Sequence, residues 1–150
     1  MTILFFEDFQ VGNRFESEKL TLTEEAVIAF GQQFDPQYFH TDKIQAKDSF
    51  FNGLAASGWH TSALTMRLVV SSPIGKIANG VIGLGVDELR WFMPTYPGDT
   101  LRVVIEVLET KASQSKQGWG VVKMRWQTYN QRDEIAASLV TPLWVKRRTE

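Results

Sequence analysis

The sequence predicts an α+β fold in which a long, curved antiparallel sheet wraps around a buried central helix. Three observations predict it. Helical periodicity is confined to the first half of the chain, the run from Gly58 to Val70 is apolar on nearly every side, and from Val81 onward the residues are branched and aromatic in strand-length pieces. A helix apolar all round has to be buried, and an antiparallel sheet curved around it is the simplest cover.

Each element follows from its residues. Arg14 to Leu22 reads as a strand or extended arm. Thr21 and Glu24 have capping-box spacing, and Thr23 is an equally good N-cap. Val27, Phe30 and Phe34 then fall at i, i+3 and i+7 on one helical face, with Glu24 and Glu25 in the first turn. Pro36 stops this helix, because the residue before a proline, Asp35, is pushed out of the α region. A short helix is expected around Asp42 to Asp48, ended by Asn52-Gly53. The helix GWHTSALTMRLVV follows, interrupted only by Arg67 and ended by Ser71, Ser72 and Pro73. Gly75 to Gly80 is a loop, Val81 to Tyr96 is β in character, and Pro97-Gly98-Asp99 is a strong turn. Leu101, Val103, Ile105 and Val107 alternate with Arg102, Val104, Glu106 and Leu108, a partly two-faced strand. Ser113 to Gly118 forms a hairpin loop, Gly118 to Tyr129 a further strand, Asn130 to Asp133 a turn, and Ile135 to Lys146 the last strand. A chain of 150 residues with no linker or repeat is expected to be one domain, residues 1–150.

Composition narrows the function. A hydrophobic fraction of 43% supports a full core, and ten Phe, five Trp and three Tyr are enough to line a cavity as well. Sixteen basic and seventeen acidic residues give a net charge of -1, which argues against a nucleic-acid platform or a polybasic membrane anchor. With no cysteine, disulfides, thiolate catalysis and cysteine-ligated metals are excluded. The opening MTILFFEDFQVGNRF is broken by Glu7 and Asp8 and does not read as a signal peptide. No apolar run approaches spanning length, so a cytoplasmic protein is expected.

The residues able to carry chemistry are few. The only histidines are His40 and His60. His40 follows Asp35 in FDPQYFHTD, and the proline between them allows a compact turn that presents carboxylate and imidazole to one point. Such a pair can activate a water, one group taking a proton and the other returning one. Alternatively, Asp35 shapes a turn and His40 packs at the edge of the core. The aromatic neighbours Phe34, Tyr38 and Phe39 favour the first reading, and their desolvating effect would raise the Asp35 pKa. Gly58 opens the central helix. Free N–H groups there could polarise a carbonyl, or the glycine could simply permit a tight entry turn. His60, in the first turn, is expected neutral, either as a core histidine or as a ligand contact beside Trp59. Ser62 is expected to be a buried hydroxyl bonded back into its helix. His40 and Asp42 alone are too few for a metal.

The segment FDPQYFHTDKIQAKDSFFNGLAASGWHTSALTMR, with the later DELRWFMPTYPGDTL, resembles the signature of MaoC-like dehydratases and (R)-specific enoyl-CoA hydratases, and the likeness spans nearly the whole chain. It implies a hotdog fold and reversible syn addition of water to a trans-2-enoyl-CoA, giving an (R)-3-hydroxyacyl-CoA in fatty acid metabolism. Asp35 and His40 match the family's catalytic pair, and Gly58 matches the glycine whose N–H binds the thioester oxygen. Which of the pair is the base stays open. Phe34, Tyr38, Phe39, Trp59 and His60 are candidate substrate contacts. The resemblance also implies an acyl-CoA partner, no separate cofactor or metal, and a homodimer or higher oligomer that covers an exposed sheet edge. Lys76, Arg90, Lys146, Arg147 and Arg148 are candidates for the CoA phosphates. This chain departs from the pattern in having Gln37 and Tyr38 where Asn-Pro is frequent, and Ser57 where a histidine often precedes the glycine. The competing readings are a hotdog thioesterase and a non-catalytic acyl-CoA binder.

Overall fold

Three long strands, β5 (Thr100–Ala112), β6 (Trp119–Tyr129) and β7 (Ile135–Lys146), form the centre of an antiparallel sheet in the computed structural model, which describes residues 2–149. Four short strands border them. β1 (Arg14–Glu16) and β2 (Leu20–Thr21) lie one after the other along β5, and β3 (Ile82–Gly83) and β4 (Asp87–Trp91) along β7. The period-2 pattern sets the faces: on β6 the residues Gly120, Val122, Met124, Trp126 and Thr128 are buried, and their neighbours in sequence are half-exposed. Register shifts at Val107/Glu109, Thr128/Tyr129 and Asp87/Arg90 mark bulges. Bulges bend the strands that carry them, which curves this sheet.

The expected single arm from Arg14 to Leu22 is therefore two strands, and Val81 to Tyr96 also divides. The second break falls at Gly85, whose φ is 143°, and Glu88, with φ of 53°, lies within the bulge of β4 between Asp87 and Arg90. Pro97-Gly98-Asp99 turns as expected, with the Asp99 carboxylate accepting the Tyr96 N–H at 2.9 Å. The hairpin loop between β5 and β6 also lies where the sequence places it.

Helices α1 (Glu24–Phe34), α2 (Tyr38–Thr41) and α3 (Gly58–Ser71) complete the fold. Thr23, not Thr21, caps α1, its hydroxyl accepting the Ala26 N–H at 3.2 Å; Thr21 bonds to Thr100 instead. The short helix expected at Asp42 to Asp48 is displaced. The Asp42 side chain accepts the Ile44 and Gln45 N–H groups, and only a 3-10 turn follows at Gln45–Asp48. On α3, Leu68 and Val69 join Ile105, Met124 and Leu143 in the main core. Each buried side chain of this size contributes roughly 1.5–3 kcal/mol. Leu22, Val27, Ala46, Leu54 and Ala56 form a second cluster under α1.

One expectation fails in part. The open sheet covers only the side of α3 that carries Thr61, Thr65, Leu68 and Val69, so α3 is not buried all round. Trp59, Met66 and Val70 are 59%, 37% and 50% exposed. No described helix is long and apolar enough to cross a membrane.

Candidate active site

Asp35 ends α1 and His40 lies in α2, and a backbone bend brings them together. Asp35 leaves the helix at φ -152°, ψ 70°, its N–H still donating to Gly31, and Gln37 opens α2 in an extended conformation. α2 then folds back against α1 at Gly31. A Cβ added there would stand 2.7 Å from the His40 carbonyl oxygen and 3.0 Å from the His40 Cβ, so this close approach requires glycine. The result is an Asp35 Oδ2 to His40 Nε2 separation of 3.3 Å.

The ring is locked. His40 Nδ1 lies 2.6 Å from the Ala55 carbonyl oxygen. A carbonyl only accepts, so Nδ1 carries the proton and, in the neutral ring, the Nε2 lone pair faces Asp35. Phe39 abuts the ring edge-on at 4.6 Å. His40 is buried and Asp35 half-buried.

The Asp35 carboxyl is held below its ordinary pKa, the reverse of the sequence expectation. Burial pushes it upward and is the largest single influence, but hydrogen bonds from Gln37 and Ser57, with the Coulombic pull of His40 whenever that ring is protonated, together outweigh it. The Gln37 side-chain amide donates to Oδ1 at 2.7 Å. Two residues that depart from the family pattern thus hold the carboxylate ionised.

Beside this pair stands the start of α3. Its first four amides can be accounted for one by one. The Ser57 hydroxyl accepts the Trp59 N–H at 3.2 Å, and the Ser57 carbonyl accepts those of His60 and Thr61. The Gly58 N–H is left without a partner among the described residues. A cavity of about 360 Å³ is lined by both His40 and Gly58, and its wall continues over Phe51, Thr61, Trp91 and Thr95. The Trp91 ring lies directly on Gly58: an added Cβ would meet it at 2.6 Å. Trp91 donates its indole N–H to the half-buried Ser62 hydroxyl at 3.0 Å, so Ser62 reaches β4 and does not serve its own helix as expected.

The other candidates lie around this cavity and not in its wall. Phe34 and Tyr38 are 63% and 45% exposed, and Phe39 packs under α1 against the second core cluster. Trp59 stands edge-on to Trp91 at 5.0 Å. His60 stacks on Phe30 at 4.6 Å, and burial lowers its pKa. The sequence does not single out Trp91, Phe51, Thr61 or Thr95; the recurrence of aromatics near the two motifs points to the two rings, and nothing local points to the two threonines. Of the candidate cations, Arg147 and Arg148 pair with Glu7 and Asp8, and Lys146 lies over the Trp119 ring. No group of three or more His, Asp or Glu among the described residues could hold a metal ion.

Known proteins share this arrangement of elements. The chain is 45% identical to a MaoC-like dehydratase from Rhodospirillum rubrum, with a TM-score of 0.92 over 98% of this chain and 99% of that one. It is 30% identical over 149 residues to a mesaconyl-CoA hydratase of Cereibacter sphaeroides, covering 96% of this chain but 41% of that longer protein. A Mycobacterium tuberculosis protein with a double hotdog fold superposes with a TM-score of 0.82 at 17% identity, over 99% of this chain and 46% of that one. The open antiparallel sheet around α3 is thus a hotdog fold. Residues 8–128 match the MaoC-like domain, and the chain belongs to the MaoC-like dehydratase family.

Proposed function

We propose that the protein is an enoyl-CoA hydratase/dehydratase, adding water reversibly to a trans-2-enoyl-CoA to give an (R)-3-hydroxyacyl-CoA. The observation that carries this is the 3.3 Å pair of Asp35 and His40 beside a cavity lined by His40 and by Gly58, whose N–H has no partner among the described residues. Membership of the MaoC-like dehydratase family supports it, as does the likeness to a named CoA-ester hydratase. In this reading a water stands on the cavity side of the 3.3 Å pair and donates one hydrogen to the Asp35 carboxylate and the other to the Nε2 lone pair. Its hydroxyl joins the β-carbon, its proton passes to the pair, and the pair returns a proton to the α-carbon. The thioester oxygen, which gains negative charge as the new bond forms, accepts from Gly58. One C–O and one C–H bond form at the expense of the double bond and a water O–H, with no net oxidation or reduction, so the proposed reaction needs no redox cofactor.

The working unit in this proposal is a homodimer. Trp59 meets Trp91, and Met66 and Val86 border one recess, so the exposed apolar residues of α3 and the β3–β4 edge form one continuous face. A face of that kind marks an association surface, and a second copy would bury the open side of α3.

Turnover of a panel of enoyl-CoAs, followed by loss of the conjugated-thioester absorbance, tests the activity. Asp35→Asn and His40→Gln should each lower kcat/KM by at least about 100-fold, within the range for general acid–base groups, while circular dichroism stays unchanged. Full activity in both variants would refute the site. Release of free thiol in place of hydration would identify a thioesterase.

A further inference from the structure

We infer that Gln37 is a positioning residue for the proposed reaction, holding Asp35 Oδ1 so that Oδ2 is the oxygen kept toward His40; the inference rests on the hydratase reading above. Gln37 stands at the bend between the two groups and is bonded to both. Its backbone N–H donates to the Asp35 carbonyl at 2.7 Å, and its own carbonyl accepts the His40 N–H at 2.9 Å and the Thr41 hydroxyl at 3.1 Å. Its side-chain amide donates to Asp35 Oδ1 at 2.7 Å. A bond of that kind, from an amide to an ionised carboxylate, belongs to the stronger class. All of these bonds lie within one copy of the chain, so they do not depend on what covers α3.

A carboxylate turns easily about its last torsion, and either oxygen of Asp35 could otherwise meet the imidazole. With Oδ1 occupied, Oδ2 stays 3.3 Å from His40 Nε2. Much of the order this requires is already in place. The backbone bonds fix where the Gln37 side chain begins, and only its rotamer remains to be set. Packing does not account for the residue, because Gln37 is exposed and does not line the cavity shared by His40 and Gly58. The side chain acts on charge as well. The groups that act on the Asp35 carboxyl are Gln37, the uncharged Ser57 at the start of α3, and the titratable His40 on α2. Gln37 is the larger of the two neutral influences that keep it ionised. The proposed reaction needs that form, since the water donates to the carboxylate.

Two substitutions test this, each leaving the backbone bonds intact. Gln37→Met keeps the length of the side chain and removes the donor; Gln37→Glu puts an acceptor and a second charge in its place. Turnover of the best enoyl-CoA is followed as a function of pH. In Gln37→Met kcat should fall roughly 10-fold, the worth of one hydrogen bond to a charged group, with KM within about threefold of the parent. The acidic limb of kcat/KM should move to higher pH in Gln37→Met, and at least as far in Gln37→Glu, because the carboxylate loses a donor that favours its ionised form. A residue that merely stabilised α2 would lower Tm and leave that limb in place. An unmoved limb and parental kcat in both variants, beside an active parent, would overturn the inference and leave the hydratase reading standing. A parent that turns over no enoyl-CoA would remove the hydratase reading and this inference with it.

Discussion

Gly58→Ala is the sharpest probe of how the helix start is built. The added methyl would lie 2.6, 2.7 and 2.9 Å from three atoms of the Trp91 ring. Carbon atoms in ordinary contact sit at about 3.5–4.0 Å, so ring or helix must retreat by about 1 Å. The ring cannot swing away freely, because Ser62 holds its indole N–H at 3.0 Å and Trp59 stands against it. Overpacking of this kind costs about 1–3 kcal/mol. At roughly 2–4 °C per kcal/mol for a chain of this size, Tm should fall by roughly 2–12 °C. A shift of about 1 Å in a group that positions substrate costs about 100-fold in rate, so kcat/KM for the best enoyl-CoA should fall by that order. Thermal melting and the absorbance assay measure the two losses separately. In a Trp91→Ala background the same substitution should cost little stability, since the clash is gone. Wild-type Tm and kcat/KM in Gly58→Ala would refute the reasoning.

Other substitutions test other links. Gly31→Ala puts a methyl 2.7 Å from the His40 carbonyl oxygen; it should displace α2 and lower kcat/KM by roughly 10- to 100-fold with a Tm loss similar to that of Gly58→Ala, in the same two assays. Burial lowers the His60 pKa, so the unfolded chain binds the extra proton in the window below about pH 6.5. Stability from this group is therefore complete above that pH and is lost as pH falls through the folded value. Tm of His60→Phe should depend less steeply on pH between about 5 and 6.5 than Tm of the parent, and identical slopes would contradict this account. The Thr65 and Thr128 hydroxyls meet at 2.6 Å in the core. Thr65→Val should cost about 1–3 kcal/mol in urea unfolding by orphaning Thr128, whereas replacing both by Val should cost less than the single change.

Local chemistry made much of this legible. Pro36 must break α1, and a break between Asp35 and His40 is what lets them meet. The turn at Pro97 to Asp99 and the alternation of β5 likewise depend on nearby residues. The features that were missed depend on contacts distant in the chain. Nothing near Gly31 announces that α2 will press on it, and nothing near Trp91 says that its ring will cover Gly58. The aromatic neighbours of Asp35 suggest burial alone, whereas the donors on Gln37 and Ser57, which act with His40 to outweigh it, are visible only in the folded chain. Apolar residues all around α3 predict a helix buried on every side, yet Trp59, Met66 and Val70 are exposed in the single chain. Hydrophobicity records only that a surface avoids water, and says nothing of which molecule covers it.

The bond from His40 Nδ1 to the Ala55 carbonyl carries a stereochemical consequence. A proton gained at Nε2 can depart only by the route it came, since the opposite nitrogen is committed and the ring cannot flip. In the proposed reaction, hydrogen and hydroxyl must then reach the double bond from one side. Run in heavy water, hydration would mark a single diastereotopic position on the α-carbon.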